Sequence, residues 1–381
     1  MKKILSVVVV VAVTLFQTVQ ITANAQKSDK PTVNAQACVL YCVDDGKVYF
    51  SINGNKKMKP ASTTKMMTSL ITLEYADSAD KVVTFTKDMT AEGSSMYLKV
   101  GEKVKLSDLA AGMMMASGND AANAAAVSIA GNSEKFSELM NNRAAVIGMK
   151  NTHFVTPSGL DDENHYSTAY DMALLMSYAL ENESFAKLTS QKSVTVQFSE
   201  PQSKRTTYVN HNRLLSMYEY CTGGKTGYTM AAGRCLVSSA KKDGLTFVCV
   251  TLNDRNDWND HIALYNYGFS QLACVECDDS DYYLEIPCAG GDDEKISVTG
   301  TKGKNIVVPF DKKSNVVRTA YADNFLYAPV KDGDIVGRIE YTLDGKTLAS
   351  TNLTAVEYSN TQNKNKSIWT KIKDFFTYGK E

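Results

Sequence analysis

The sequence carries almost no excess charge: 41 Lys and Arg stand against 42 Asp and Glu, a formal net charge of -1. Without a basic surplus there is no strong electrostatic drive toward nucleic acid. Long apolar runs are also scarce. Ile4 to Phe16 is apolar apart from Ser6 and Thr14, but a bilayer span needs ~20 apolar residues. Nothing later in the chain is long and apolar enough to span. No internal repeat is present. A second close cysteine pair is missing as well. Cys274-Val-Glu-Cys277 followed by Cys288 offers three potential ligands, short of the usual paired zinc pattern, so neither a metal nor a cofactor is expected. Eight cysteines in an exported chain would suggest a disulfide framework. However, Cys38, Cys42, Cys235 and Cys249 lie in apolar strand-like runs, where a free Cys packs as a small hydrophobe. They read as thiols in an envelope that is not strongly oxidising, with a Cys235–Cys249 bridge as the alternative.

What is present begins with an address. Lys2 and Lys3 precede the apolar run, and Ala23-Asn24-Ala25 follows it as a small-x-small cleavage site. This is the layout of an export signal over residues 1–25, leaving a mature chain from Gln26. An uncleaved anchor is the alternative, but Gln17 and Gln20 spoil its extension. No Cys follows the signal to carry a lipid. The remaining length suits two domains, or one large and one small.

Residues 37–43 and 47–53 read as strands joined at Asp44-Asp45-Gly46. Met66, Met67, Leu70 and Leu73 have helical spacing. Residues 106–130 read as two helices separated by Ser117-Gly118-Asn119, with Met113, Met114 and Met115 as core packing. Thr168 suits a helix N-cap with Asp171 three residues on, a capping box with Asp in place of Glu. Strands are expected at 222–229, 233–240 and 245–252, the last two joined at Asp243-Gly244, and a helix at 260–272. Helices in the middle and strands at both ends suggest an antiparallel sheet covered by helices, an α/β (α+β) domain over 26–273. Short β-rich runs follow (Ile296–Val298, Ile306–Val308, Ile335–Tyr341, Leu348–Leu353) and suggest a small all-β domain over 274–357. Residues 358–367 are polar and linker-like.

Three short motifs carry chemistry. In Ser62-Thr63-Thr64-Lys65 the two ends share a helix face. A serine hydroxyl is a weak nucleophile that needs a base beside it. A lysine can serve as that base once burial or nearby positive charge lowers its ordinary pKa of about 10.4. In Ser117-Gly118-Asn119 a loop serine can relay a proton, and the Asn amide can hold a substrate amide group from the side. In Lys225-Thr226-Gly227, followed by Tyr228, an edge-strand backbone can pair with an extended peptide. There Lys225 supplies charge, Thr226 can donate to a carboxylate, and Gly227 permits close approach. Each motif alone is weak, because Ser238…Lys241, Ser239…Lys242, Ser51-Ile52-Asn53 and Ser350-Thr351-Asn352 match the first two patterns by chance. The ordered set is strong, and it is the set of β-lactamases and penicillin-binding proteins, with Gly118 where their middle motif is written with Asp.

With its flanks, the sequence resembles low-molecular-mass penicillin-binding proteins of the serine D-alanyl-D-alanine carboxypeptidase family. The matching text is KPASTTKMMTSL, SGNDAANAAA, GMKNTHFVTPSGLDDENHYSTAYDMA, GGKTGYTMAAGRCLVSSA and YAPVKDGDIVGRIEYTLDGK, spread over roughly 37 to 355. The resemblance implies a β-lactamase/transpeptidase-like fold and removal of the terminal D-alanine from peptidoglycan stem peptides. It also implies covalent inhibition by β-lactam antibiotics. By the same resemblance, Ser62 forms the acyl-enzyme, Lys65 takes its proton, and Ser117 and Lys225 pass a proton to the leaving D-alanine. Asn119 orients the acyl side, and Thr226 with Lys225 holds the terminal carboxylate. The oxyanion sits between the backbone amides of Ser62 and Tyr228. Some relatives carry a further arginine or other basic residue near the carboxylate pocket. Here the candidates are Arg234, Arg255 and His211. His153 and His165 pair with no nucleophile in the sequence and read as packing or loop-fixing residues.

Rival readings share the motifs. A serine β-lactamase would need a deacylating glutamate, for which Glu163 is the candidate. A D,D-endopeptidase would use the same residues. A silent penicillin sensor would have lost Lys65, Ser117 or Lys225. The tail over 368–381 adds a last expectation. Ile368, Trp369, Ile372, Phe375 and Phe376 cover an arc of roughly 120° on a helix, flanked by Lys371 and Lys373 and preceded by Lys364 and Lys366. Such a helix suits an anionic membrane surface, which places the exported enzyme on the outer face of the cytoplasmic membrane. Docking of the helix on the protein itself is the alternative.

Overall fold

A computed structural model describes residues 29–291 and 293–356. The expected export signal, polar linker and tail helix fall outside the described residues. Five strands form one antiparallel sheet in the order Lys47–Ile52, Ala37–Cys42, Leu245–Leu252, Gly233–Lys242, Cys221–Thr229. Its central strands are apolar at consecutive positions because both faces are covered. On one face Val39, Val237, Val248 and Val250 pack with Met66, Leu70, Met113 and Met176 from helices Lys65–Ser78, Leu106–Met115 and Ala169–Ala179. On the other, Leu40, Leu236 and Phe247 pack with Leu264 and Tyr265 of helix Asp257–Gln271. The three methionines at 113–115 are fully buried in the first of these cores, as expected.

The same alternation disposes of the cysteine bridge. Cys235 pairs with Leu252 and faces the first core, whereas Cys249 faces the second, across the sheet. Both are free thiols, as are the other six cysteines.

Thr168 does cap its helix, its Oγ1 accepting from the Asp171 amide at 3.0 Å. The reciprocal half of the box is absent. The Asp171 carboxylate instead accepts from the Asn151 amide and the Thr152 hydroxyl, both at 2.7 Å, so it ties a distant loop to the helix start. Helix Ser133–Ile147, capped by Asn132 and ended by Gly148 at φ +90°, and the hairpin Ser193–Gln197/Arg205–Val209 were not anticipated.

The C-terminal part is all β. Six strands run in the order Val317–Ala322, Ile335–Leu343, Lys346–Ala355, Lys295–Gly300, Tyr283–Ala289, Leu326–Tyr327. They enclose a core of Ile286, Ile296, Val298, Ile339 and Leu353. The two edge strands are consecutive in sequence and three residues apart, so the sheet must curl until its edges approach. The strand expected near Ile306–Val308 forms as Ile306–Pro309, outside this six-stranded sheet. It pairs with Leu272–Val275 and so links the small sheet's neighbourhood to the end of the preceding helix. Among the described residues no helix is long and apolar enough to cross a membrane.

Candidate active site

The chain enters the Lys65–Ser78 helix through one tight turn, Ala61–Thr64. Ala61 adopts φ +50°, a left-handed backbone that costs a residue with a Cβ about 1–2 kcal/mol. This kink presents Ser62, the one residue between 61 and 70 that is not buried. Lys65 lies one turn on and is fully buried. Its Nζ sits 3.0 Å from Ser62 Oγ and donates to the Ser158 carbonyl at 2.7 Å. Burial first, and then repulsion from Lys225, hold the Lys65 ammonium well below the ordinary lysine range, with Asp120 opposing. A neutral amine has two N–H donors and one lone pair. With an N–H on Ser158, the lone pair is free to accept the Ser62 proton.

Ser117 stands at φ +57° between helices Leu106–Met115 and Asn119–Ala130. Its Oγ accepts from Lys225 Nζ at 3.1 Å, and Lys225 also donates to the Thr226 carbonyl at 2.9 Å. Burial pushes the Lys225 ammonium down to about 7. Ser62, Lys65, Ser117 and Lys225, three segments apart in sequence, therefore form two serine–lysine pairs, and the charges of the two lysines repel each other.

These pairs open on a cleft of ≈ 430 Å³ lined by Ser62, Ser117, Thr226, Gly227 and Tyr228, with Ser94 and His211 at its sides. Cys221–Thr229 is an edge strand, so one side of its backbone is unpaired in the sheet. Gly227 lies against the Ala61–Thr64 turn. A Cβ there would come 3.0 Å from the Ser62 and Thr63 nitrogens and the Pro60 oxygen, so only glycine fits without displacement.

Asn119 is buried beside the site but donates its Nδ2 to the Glu92 carbonyl at 2.6 Å. Its Oδ1 is buried with no protein partner. One of the two N–H groups of Nδ2 is thus committed, and Asn119 is not among the residues lining the cleft.

The three candidate cations separate clearly. Arg234 lines the cleft, its guanidinium fixed by Asp257 through Nε at 3.1 Å and Nη2 at 2.6 Å and lying over the Trp258 ring. His211 lines the cleft too, but burial and Lys225 push its imidazole below the usual range. Arg255 instead faces a separate polar hollow with Asn34, Gln36, Asn253 and Asn256.

Several participants carried no readable signal in the sequence. The Ser158 carbonyl is backbone. Asp120 directly follows the middle motif, which is a hint. It is buried and accepts from the Met96 and Leu98 amides and the Ser95 hydroxyl, fixing the loop that brings Ser94 to the cleft. His153 accepts no nucleophile; its Nδ1 pairs with the Asn164 carbonyl at 2.7 Å. Glu163 is exposed and is not among the residues lining the cleft.

A family model described as D-alanyl-D-alanine carboxypeptidase matches residues 23–256, and one described as penicillin-binding protein 5, C-terminal domain, matches residues 278–359. The chain is similar to the D-alanyl-D-alanine carboxypeptidase DacF of Bacillus subtilis, at 32% identity over 88% of each chain. It is similar to DacC of Escherichia coli at 33% identity, over 88% of this chain and 86% of that one. Among solved structures, penicillin binding protein 5 from Haemophilus influenzae superposes with a TM-score of 0.65 at 30% identity, covering 87% of this chain and 99% of that one. A Streptomyces K15 DD-transpeptidase variant matches 63% of this chain and all of its own, with a TM-score of 0.60 at 30% identity.

Proposed function

The chain belongs to the D-alanyl-D-alanine carboxypeptidase family, and on that premise we propose that Ser62 is the nucleophile through which it removes the terminal D-alanine from peptidoglycan stem peptides. The convergence of Ser62, Lys65, Ser117 and Lys225 carries this reading. Ser62 Oγ attacks the carbonyl between the last two D-alanines while its proton passes to the neutral Lys65 amine. The oxyanion that forms lies between the backbone amides of Ser62 and Tyr228, across the contact that Gly227 makes possible. The C–N bond then breaks, and the proton taken by Lys65, relayed by Lys225 and Ser117, leaves on the D-alanine amine. Water hydrolyses the ester and returns the proton to Ser62. Asn119 accepts a substrate amide N–H through Oδ1. Thr226, Lys225 and Arg234 hold the terminal carboxylate, with Arg234 rather than Arg255 supplying the third cation. β-Lactams enter the same cleft and acylate Ser62. No cofactor takes part. Mass mapping after brief penicillin treatment checks this reading: one adduct is expected on the peptide containing Ser62 and none in Ser62→Ala. A fully labelled Ser62→Ala protein contradicts it.

The exposed position of Glu163, outside the cleft, favours this reading over a β-lactamase that deacylates through that residue. The domain boundaries belong to the same proposal: a peptidase domain over 26–273 and a small β domain over 274–357, then the linker and tail. So does the address. The signal at 1–25 exports the chain, and the amphipathic 368–378 segment holds it on the outer face of the cytoplasmic membrane. Deleting residues 364–381 is expected to leave activity intact and abolish co-sedimentation with anionic vesicles. Equal partitioning of the truncated and full-length chains contradicts the anchor.

A further inference from the structure

His165 belongs to none of the three motifs, yet it is buried where two segments of the site meet. The backbone amides of Val155 and Thr156 lie 3.1 and 3.3 Å from its Nδ1. Amides only donate, so Nδ1 must be the unprotonated nitrogen. Nε2 therefore carries the hydrogen and donates to Thr64 Oγ1 at 2.9 Å. Burial pushes this imidazole down to about 4, which keeps it in that neutral form at ordinary pH. Its ring also packs edge-on against Phe154.

The two segments joined in this way are the nucleophile turn and the 155–165 loop. That loop touches the catalytic helix at successive points. Pro157 accepts from the Thr68 hydroxyl at 2.6 Å, and Ser158 accepts from Lys65 Nζ at 2.7 Å. Gly159, at φ +80°, passes so close that a Cβ would meet the Ala61 oxygen at 2.0 Å. Asp161 accepts from Thr229 Oγ1 at 3.0 Å, which ties the middle of the loop to the edge strand. His165 is the side chain that bonds to the start of the loop and to the nucleophile turn at once.

We propose that His165 is a positioning residue for acylation: by clamping the 155–165 loop onto the nucleophile turn, it holds the Ser158 carbonyl on Lys65 and so aims the Lys65 lone pair at Ser62. The inference rests on Lys65 being the base. Loosening the clamp lets water reach Lys65 and weakens the burial that keeps its amine neutral. The charged groups that act on Lys65 are Lys225 and Asp120. Those acting on His165 are Asp161, Asp162, Lys59 and His153. A substitution of His165 leaves all of them in place, so a change at Lys65 reads the loop itself.

The experiment follows the rate of acylation by a fluorescent penicillin from pH 5 to 10, using the full-length enzyme, His165→Ala, Thr64→Val and Lys65→Ala, each with a thermal melt. The wild-type rate rises with pH as Lys65 loses its proton. In His165→Ala this acidic limb is expected to move up by about one unit, a roughly tenfold loss at the foot of the limb, with recovery toward the wild-type rate at high pH. Thr64→Val removes the same bond from the other side and is expected to move the limb in the same direction, even if His165→Ala melts early. An unmoved limb in both variants, alongside an inactive Lys65→Ala, overturns the positioning role alone. A Lys65→Ala enzyme that keeps the wild-type rate and limb overturns the base assignment, and with it this proposal.

Discussion

Replacing Lys65 with alanine is expected to slow acylation by penicillin by about 10²–10⁴-fold, the range that a positioned general base contributes. The size of the effect follows from the surroundings. Ser62 Oγ has one nitrogen base at hydrogen-bond distance, 3.0 Å away. Lys225 bonds to Ser117 instead. Burial and the Lys225 charge favour the neutral amine of Lys65, so its removal takes away the base that lies beside Ser62. Alanine also leaves a void and an unpartnered Ser158 carbonyl, which destabilises the helix start. Lys65→Met keeps the stem volume without the amine, so a comparable rate loss in both variants assigns the effect to the base. Wild-type acylation of either variant at neutral pH contradicts the assignment.

A substrate whose C-terminal carboxylate is converted to an amide is expected to turn over roughly 5- to 30-fold more slowly, the equivalent of about 1–2 kcal/mol for a charged partner lost at a partly exposed guanidinium. The charge that matters is identified by elimination. Burial pushes Lys225 down to about 7, and His211 is held below its usual range. An arginine guanidinium keeps its charge throughout the working range, and Arg234 lines the cleft. Asp257 binds its Nε and Nη2 edge and sets its direction. Arg234→Gln is therefore expected to abolish most of the preference for acid over amide, with a smaller effect on the amide itself. This ratio is insensitive to any loss of stability from leaving Asp257 buried and unpaired. An unchanged preference in Arg234→Gln places the carboxylate elsewhere.

How much of this was legible in the sequence depended on whether the signal was local. Ser62 and Lys65 are one helical turn apart, so their meeting follows from spacing alone. The sheet strands were legible because burial on both faces makes them continuously apolar, and the Asp243-Gly244 turn closes the last hairpin. The Ser117–Lys225 bond joins residues 108 apart, and only the family pattern, not spacing, put them in one site. The Ser158 carbonyl could not be read at all, because a backbone acceptor has no residue signature. Arg234 was one of three candidate cations, and its pairing with Asp257 emerged only once strand and helix were packed together. Ile306–Val308 was legible as a strand, but its apolar run names no partner, and the partner is Leu272–Val275. The Asp171 side chain was misread for a related reason. The capping pattern is local, but the loop amide at Asn151 competes for the same carboxylate.

The central claim is that the pairs around Ser62 and Ser117 hydrolyse a D-Ala-D-Ala bond, and release of free D-alanine tests it most directly. A stem-like pentapeptide ending in D-Ala-D-Ala is incubated with the full-length enzyme, and free D-alanine is measured alongside the shortened peptide. One D-alanine is expected for each tetrapeptide formed, with none released by Ser62→Ala or after penicillin treatment. Turnover of the pentapeptide by Ser62→Ala at the wild-type rate, or an unmodified pentapeptide after prolonged incubation with an enzyme that penicillin still labels, would contradict the account.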